Sequence, residues 1–356
     1  WFEKKISEEN YEKVMMLGDK AIKSEEKLTR VYPQKNLFSH IIGQIDNDNV
    51  GISGLEKSLD EKLKKKNNPI QLSVDRDIQF LIREELLKFN KIFKSQGSAA
   101  ILMDVNSGEI ISIVSLPDFD PNQRISIKDI NYINRATKGV YELGSVFKTF
   151  TLAAAINEGI IEPETEFKNL EKSVKCGKNT IKEYDNQIPT NLTAEQILIR
   201  SGNIGSIRIG QALGLEKFKK FLNDLNLINS IQFDIEEVGI PISFNWGKCK
   251  LATASYGHGI TTTILQLANA YSIIANGGYK IEPTLIKKNL NPKKEKILNK
   301  GVSKKIVSIL RKIVITKEGT ASLANVEGYE VAGKTGTAQK STLGGYSKNK
   351  INTFAS

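Results

Sequence analysis

The sequence predicts an α+β fold in which helices surround a mainly antiparallel sheet, preceded by a smaller separate domain. Three features predict it: a hairpin pattern at 98–115, a helix-rich middle, and a glycine-flanked strand pattern near residue 334. With 356 residues, two domains are expected rather than one.

Residues 1–70 are charged and irregular, with one helix expected to start at the cap Ser7. The lysine run ending at Lys66 and the following Asn67-Asn68-Pro69 mark a linker, which sets expected domains at 1–70 and 71–356. Beyond it, Ile78, Ile82, Leu86, Phe89 and Phe93 recur at helical spacing, and Gly97 is the expected stop. SAAILMDVNSGEIISIVS then places two apolar runs around Asn106-Ser107-Gly108, a hairpin signal. The strand pattern KTGTA comes late and is expected to complete the hairpin's sheet.

Composition excludes several functions. The net charge is +11, but the basic residues form short scattered runs (Lys62–Lys66, Lys287–Lys296) mostly beside acids. Nucleic acid is therefore not an expected partner. Cys176 and Cys249 have no metal-ligand spacing and the only histidines are His40 and His258, so no metal site is expected. Two free buried thiols are expected, with one disulfide in an oxidising compartment as the alternative. No apolar run reaches the ~18 residues of a membrane helix. The chain opens on Trp1, which points to a piece of a longer protein.

GYEVAGKTGTAQK raises two chemistries. Gly328, Gly333, Lys334 and Thr335 satisfy the phosphate-loop pattern GxxxxGK[ST]. That loop needs flexible residues inside and a helix starting at the lysine. Here Tyr329, Glu330, Val331 and Ala332 favour a strand, and Gly336 with Gly344-Gly345 make a poor helix. No nucleotide is expected.

The rival is serine acyl transfer, which needs a nucleophile, a base and oxyanion donors. SxxK occurs at Ser24/Lys27, Ser145/Lys148 and Ser347/Lys350. Only Ser145 opens an apolar helix, GSVFKTFTLAAAINEG, whose all-round apolarity implies burial. The three-residue spacing puts Ser145 and Lys148 on one face, and burial favours a neutral lysine that can act as a base. The competing reading is a lysine snorkelling to the surface with Ser145 as a helix cap. SxN follows at Ser201–Asn203, recurring at Ser243/Asn245 and Ser347/Asn349, and KTG occurs once, at Lys334–Gly336. In that strand Lys334 supplies charge, Thr335 and Thr337 supply hydroxyls, and Gly336 would let a ligand backbone lie close. SxxK, SxN and KTG in this order are the motif set of penicillin-recognising serine enzymes.

YELGSVFKTFTLAAAINEG, LIRSGNIGSIRIGQALG, ATASYGHGITTTILQLANAYSIIANGG and VAGKTGTAQK resemble the transpeptidase domain of class B penicillin-binding proteins. TRVYPQKNLFSHIIGQIDNDNVGISGLEKSLDEKL resembles the end of the pedestal, or dimerisation-type, domain that precedes it. LGSVFKTFT, IVSLPDFDPN and SYGHGI are closest to the division-specific FtsI type. The resemblance implies a serine β-lactamase-like fold and a peptidoglycan D,D-transpeptidase acting on D-Ala–D-Ala stem peptides without a cofactor. It implies Ser145 as nucleophile, Lys148 as base, and Ser201 and Asn203 lining the cleft. It further implies Lys334, Thr335, Gly336 and Thr337 as substrate-binding residues, and backbone N–H groups of Ser145 and Thr337 as the oxyanion hole. β-Lactam antibiotics would trap Ser145. An N-terminal inner-membrane anchor outside this sequence, a periplasmic catalytic domain, and an FtsW-type glycosyltransferase with other division proteins as partners are implied for the parent protein.

Gly202 departs from the more usual Ser or Asp inside SxN, with little effect expected. The end at INTFAS reads as the opening of the strand after KTGTA, and an open apolar sheet surface is expected beside it. Three alternatives stand beside the septal transpeptidase: an elongation-specific relative, a serine β-lactamase and a non-enzymatic β-lactam sensor. No ExxLN-like segment lies between Asn203 and Lys334 to support the β-lactamase. His258 and His40 are expected in structural roles.

Overall fold

The computed structural model describes residues 6–26, 29–65, 69–123, 125–177, 179–242, 245–247, 249–287, 295–342 and 345–356. Lys66, Asn67 and Asn68 of the expected linker, Lys27, Ser243, Gly344 and most of the run Lys287–Lys296 lie outside these residues. No helix among the described residues is long and apolar enough to cross a membrane.

The chain forms two compact units. The first comprises Trp1–Ile70, Pro117–Ile133 and Asp234–Glu237. Its helix α1 (Glu8–Met15) starts where Ser7 Oγ accepts the Asn10 N–H at 3.3 Å, as its sequence predicts. Short helices α2 (Ser39–Ile42), α3 (Gly54–Ser58) and α4 (Asp60–Lys65) follow. Polar pairing draws the two distant stretches into this unit. Asn122 exchanges two hydrogen bonds with the Tyr32 backbone (2.9 and 3.0 Å), and Gln44 Nε2 donates to the Ile125 carbonyl at 3.0 Å. His40 Nε2 meets the Asn131 carbonyl at 2.8 Å, a structural role as expected. Lys57 pairs with Glu236 at 2.7 Å.

The second unit begins with α5 (Arg76–Phe93), capped by Asp75. The helix closes at Lys94, in the left-handed conformation (φ 50°), and not at Gly97. The N–H groups of Lys94 and Ser95 both reach the Asn90 carbonyl there, so the last turn is sealed before the glycine. Strands β1 (Ser98–Met103) and β2 (Ile110–Leu116) form the expected antiparallel hairpin. Its turn is held by Asp104 Oδ1, which accepts the N–H groups of Asn106 and Ser107 at 2.8 Å, with Gly108 at φ +80°.

Strand β3 (Val140–Tyr141) leads through a 3-10 turn (Gly144–Phe147) into α6 (Lys148–Asn157). Every residue of α6 from Lys148 to Ile156 is buried. Its two buried threonines are satisfied, Thr149 by the Tyr271 hydroxyl (2.9 Å) and Thr151 by the Ser255 carbonyl (2.8 Å). After β4 (Glu166–Phe167), β5 (Ser173–Cys176), β6 (Asn179–Lys182) and β7 (Leu192–Thr193) come α7 (Ala194–Ile199), α8 (Asn203–Leu213) and α9 (Leu215–Asp224). Next are α10 (Lys250–Ala254), β8 (Thr262–Thr263), α11 (Ile264–Ala275) and α12 (Val302–Ile315). Capping boxes start two of these helices: Thr193 with Gln196 for α7, and Thr263 with Gln266 for α11. The core joins α6 to apolar faces of α7, α8, α9, α11 and α12, with Phe150 edge-on to both Phe147 and Tyr271.

Strands β9 (Lys334–Thr342) and β10 (Gly345–Ala355) close the described chain. All strand pairs are antiparallel: β1-β2, β3-β8, β4-β7, β5-β6 and β9-β10. Two expectations are corrected here. Among the described residues the KTGTA strand does not join the β1-β2 sheet; it pairs with β10 and packs against the 3-10 turn. The strand after it begins at Gly345, well before INTFAS. Leu102, Tyr346 and Phe354 remain exposed on these strands.

The thiols are not free. Cys176 at the end of β5 and Cys249 just before α10 are joined in a disulfide, with Cα atoms 5.5 Å apart. Their separation of 73 residues carries no sequence signal for pairing; only the folding of β5 beside α10 brings them together.

Candidate active site

Three chain segments far apart in sequence converge on Ser201. Lys148, the first residue of α6, is 1% exposed, Lys334 on β9 is 0% exposed, and Ser201 is 5% exposed. Lys148 Nζ contacts the Ser201 carbonyl (2.5 Å), Ser201 Oγ (3.2 Å) and Asn203 Oδ1 (2.7 Å). Lys334 Nζ donates to the same Ser201 Oγ at 2.9 Å and to the Thr335 carbonyl at 2.9 Å. One hydroxyl thus bridges two buried lysines. The surface-snorkelling alternative for Lys148 is ruled out by this burial.

The backbone explains how Ser201 serves both. It sits between α7 and α8 at φ +57°, a left-handed conformation uncommon for a serine. That bend turns its carbonyl and its hydroxyl together toward Lys148. Gly202 caps α8 at φ −63°, where any residue fits, and a Cβ there would meet its nearest atom at 3.6 Å. Asn203 Nδ2 donates to the Lys182 carbonyl at 2.9 Å, so its amide is held at both ends.

Burial disfavours the ammonium form of both lysines. It pushes Lys148 well below its ordinary value, helped by the neighbouring Lys334 and opposed by Glu183. Burial alone lowers Lys334 to about 7.

Ser145 lies in the 3-10 turn, half-buried, one residue after Gly144 at φ +66°. Its hydroxyl is not among the hydrogen-bond partners of Lys148, which are Ser201 and Asn203. The N–H of Ser145 belongs to the first turn of a helical segment, where no intrahelical acceptor exists. Thr337 lies directly beside it: a Cβ on Gly144 would fall 2.5 Å from the Thr337 carbonyl oxygen and 3.1 Å from its nitrogen. The two expected oxyanion donors therefore sit on adjacent backbones.

Gly336 is closely packed on one side. A Cβ there would fall 2.3 Å from the Leu143 carbonyl oxygen and 3.1 Å from Val146 Cγ1. The glycine lets β9 lie against the protein's own turn. Thr335 Oγ1 contacts Thr320 Oγ1 at 2.8 Å, and exposed Thr337 Oγ1 contacts Asn352 Oδ1 at 3.3 Å.

Sequence reasoning missed a supporting network. Glu142, buried three residues before Ser145, accepts the Gly259 N–H (2.9 Å) and the Tyr346 hydroxyl (3.0 Å). His258 Nδ1 stands 3.5 Å from the same carboxylate, and its ring stacks on Tyr256. This is the structural role expected for His258. A cavity of about 420 Å³ opens beside Asn203, lined also by Lys182, Tyr256, His258 and Tyr346.

Comparison with known proteins places the chain in a family. The penicillin binding protein transpeptidase domain model matches residues 98–356, and the penicillin-binding protein dimerisation domain model matches residues 2–86. The chain is 30% identical over 336 residues to the probable peptidoglycan D,D-transpeptidase FtsI of Caulobacter vibrioides, covering 92% of this chain and 56% of the relative. It is 27% identical over 387 residues to PenA of Neisseria meningitidis, covering 99% and 66%. Stage V sporulation protein D of Bacillus subtilis is 28% identical, covering 97% and 60%. The chain thus spans between 56% and 66% of the length of these curated relatives. Penicillin binding protein 3 of Mycobacterium tuberculosis superposes with a TM-score of 0.82 at 25% identity, covering 92% of this chain and 80% of that one, and has also been solved with aztreonam. The chain belongs to the penicillin-binding protein transpeptidase family.

Proposed function

We propose that this protein is a serine-type peptidoglycan D,D-transpeptidase that cross-links stem peptides of the septal wall. The observation that carries the proposal is the buried Lys148–Ser201–Lys334 bridge one helical turn from Ser145. Neutral Lys148 takes the proton of the Ser145 hydroxyl as Oγ bonds to the carbonyl carbon of the penultimate D-Ala. Charge develops on that carbonyl oxygen, held by the N–H groups of Ser145 and Thr337. The C–N bond to the terminal D-Ala then breaks, and its nitrogen takes the proton back from Lys148 through the Ser201 hydroxyl. An amine of a neighbouring stem peptide attacks the ester, passes a proton to Lys148 and thence to Ser145 Oγ, and leaves cross-linked.

Asn203 keeps one amide hydrogen free of its bond to Lys182, for a substrate carbonyl. Lys334, Thr335 and Thr337 bind the terminal carboxylate, and Gly336 sets the position of their strand. A β-lactam enters by the same attack, its ring amide in place of the peptide bond. Aztreonam bound to the Mycobacterium tuberculosis relative supports this reading.

We place the end of a pedestal domain at residues 1–70 and the transpeptidase domain at 71–356; the family matches at 2–86 and 98–356 support two domains in this order, and the first compact unit also takes in Pro117–Ile133 and Asp234–Glu237. The Cys176–Cys249 disulfide supports an oxidising compartment, here the periplasm; the inner-membrane anchor and the FtsW-type glycosyltransferase partner of the parent protein rest on the family resemblance alone.

The test is incubation with a labelled penicillin and mapping of the adduct by peptide mass. A stable adduct on Ser145, absent in Ser145→Ala, is expected; continuous penicillin hydrolysis would indicate a β-lactamase instead. The septal assignment has its own test, because a sporulation protein is among the similar relatives. Depletion in the native cell should give filaments; swollen, round cells would move the assignment to elongation.

A further inference from the structure

We propose that Glu183 is a positioning residue for the acylation step, the central member of a clasp that residues 182–184 place on the Ser201 turn. The inference rests on the transpeptidase reading above. Three consecutive residues, the last of β6 and the two after it, grip that turn. The Lys182 carbonyl accepts from Asn203 Nδ2 at 2.9 Å. The Glu183 carboxylate accepts the N–H of Asn203 at 2.6 Å and of Ile204 at 2.9 Å, sealing the start of α8. The Tyr184 hydroxyl donates to the Arg200 carbonyl at 3.0 Å. The clasp is anchored behind by the β5-β6 pairing and by Cys176, bonded to Cys249 beside α10.

Gly202 has no side chain to cap α8, so a carboxylate from another segment does it. That carboxylate fixes Asn203, and Asn203 fixes Lys148 Nζ at 2.7 Å. Glu183 also acts through charge. The groups facing Lys148 are Lys334 from β9, which disfavours its ammonium, and Glu183, which favours it. Beside Glu183, Tyr184 also faces the carboxylate of Asp185 and the guanidinium of Arg200.

The test separates position from charge. Second-order acylation rates with a fluorescent penicillin are measured against pH for wild type, Glu183→Gln, Glu183→Asp and Tyr184→Phe, each with a thermal melt. Glu183→Gln keeps the shape but removes the charge. Its plateau rate should fall about tenfold, and its acid limb should move to lower pH by about one unit, because Lys148 then sheds its proton more readily. Glu183→Asp should keep the limb near the wild-type pH. Tyr184→Phe weakens the clasp without touching charge and should lower the rate with the limb in place. A Glu183→Gln limb that stays at the wild-type pH, whatever its rate, overturns the proposal. A full plateau rate in Glu183→Gln, wherever its limb lies, does so as well. Should Glu183→Gln melt early, the limb is read below its melting temperature. A wild-type protein without an adduct on Ser145 is a distinct failure, of the transpeptidase reading itself.

Discussion

Gly336→Ala tests whether β9 must touch the protein's own turn. The new Cβ would lie 2.3 Å from the Leu143 carbonyl oxygen, 3.1 Å from Val146 Cγ1 and 3.3 Å from the Val146 nitrogen. An ordinary carbon–oxygen contact is about 3.3 Å, so the strand must retreat by about 1 Å. The oxygen belongs to backbone between β3 and the 3-10 turn and cannot swing aside. Overpacking of this kind costs about 1–3 kcal/mol. The retreat also carries the Thr337 N–H away from the Ser145 N–H, and a displacement of about 1 Å in a catalytic constellation costs about 100-fold in rate. The assay is the acylation rate with a fluorescent penicillin, with thermal melts alongside. Gly202→Ala is the internal control: its Cβ meets nothing nearer than 3.6 Å and its φ is −63°, so its rate should stay within about threefold. Gly336→Ala acylating at the wild-type rate, or Gly202→Ala losing more than Gly336→Ala, would refute this account of the glycine.

Three further outcomes are expected. The second-order acylation rate, which reports the free enzyme, should rise with pH as Lys148 sheds its proton and fall again as Lys334, lowered to about 7 by burial, loses its charge; Lys334→Arg, permanently charged, should abolish the alkaline fall. Replacing both Cys176 and Cys249 by serine should lower stability by about 2–4 kcal/mol, since a 73-residue separation closes a long loop, and an unchanged melt would show that the pair does not constrain the unfolded chain. Glu142→Ala leaves the partly buried Gly259 N–H and the Tyr346 hydroxyl without their acceptor and should cost about 1–3 kcal/mol together with slower acylation; stability within about 0.5 kcal/mol of wild type would mean that the network is idle.

Local chemistry was legible wherever a residue's partner lay within a turn of it. Ser7 capping α1, the Asn106-Ser107-Gly108 hairpin and the buried α6 follow from spacing alone, because caps, turns and amphipathic faces are decided by neighbours in sequence. Gly97 misled because the αL closure at Lys94, which sequence does not favour in a lysine, came first. The disulfide was illegible for a different reason: pairing of Cys176 with Cys249 depends on how β5 meets α10, and no periodicity encodes that.

The site divides the same way. Spacing placed Ser145 ahead of Lys148 on the α6 entry and put KTG on a strand, but it could not say what stands between the lysines. The answer, Ser201 in a left-handed turn, requires Lys148 and Lys334, 53 and 133 positions away from it in sequence, to share its hydroxyl. Such a bridge fits proton transfer better than a direct Ser145–Lys148 contact would by itself. With Lys148 charged, its three N–H donors match the three acceptors around it, two on Ser201 and one on Asn203. With Lys148 neutral, one of those contacts must reverse, and only the Ser201 hydroxyl has a proton to give. The 3.2 Å contact is therefore the one that changes direction, while Lys334 holds the same oxygen from the other side at 2.9 Å. In the proposed mechanism, loss of the proton from Lys148 is thereby tied to the orientation of the Ser201 hydroxyl that would return it to the leaving amine.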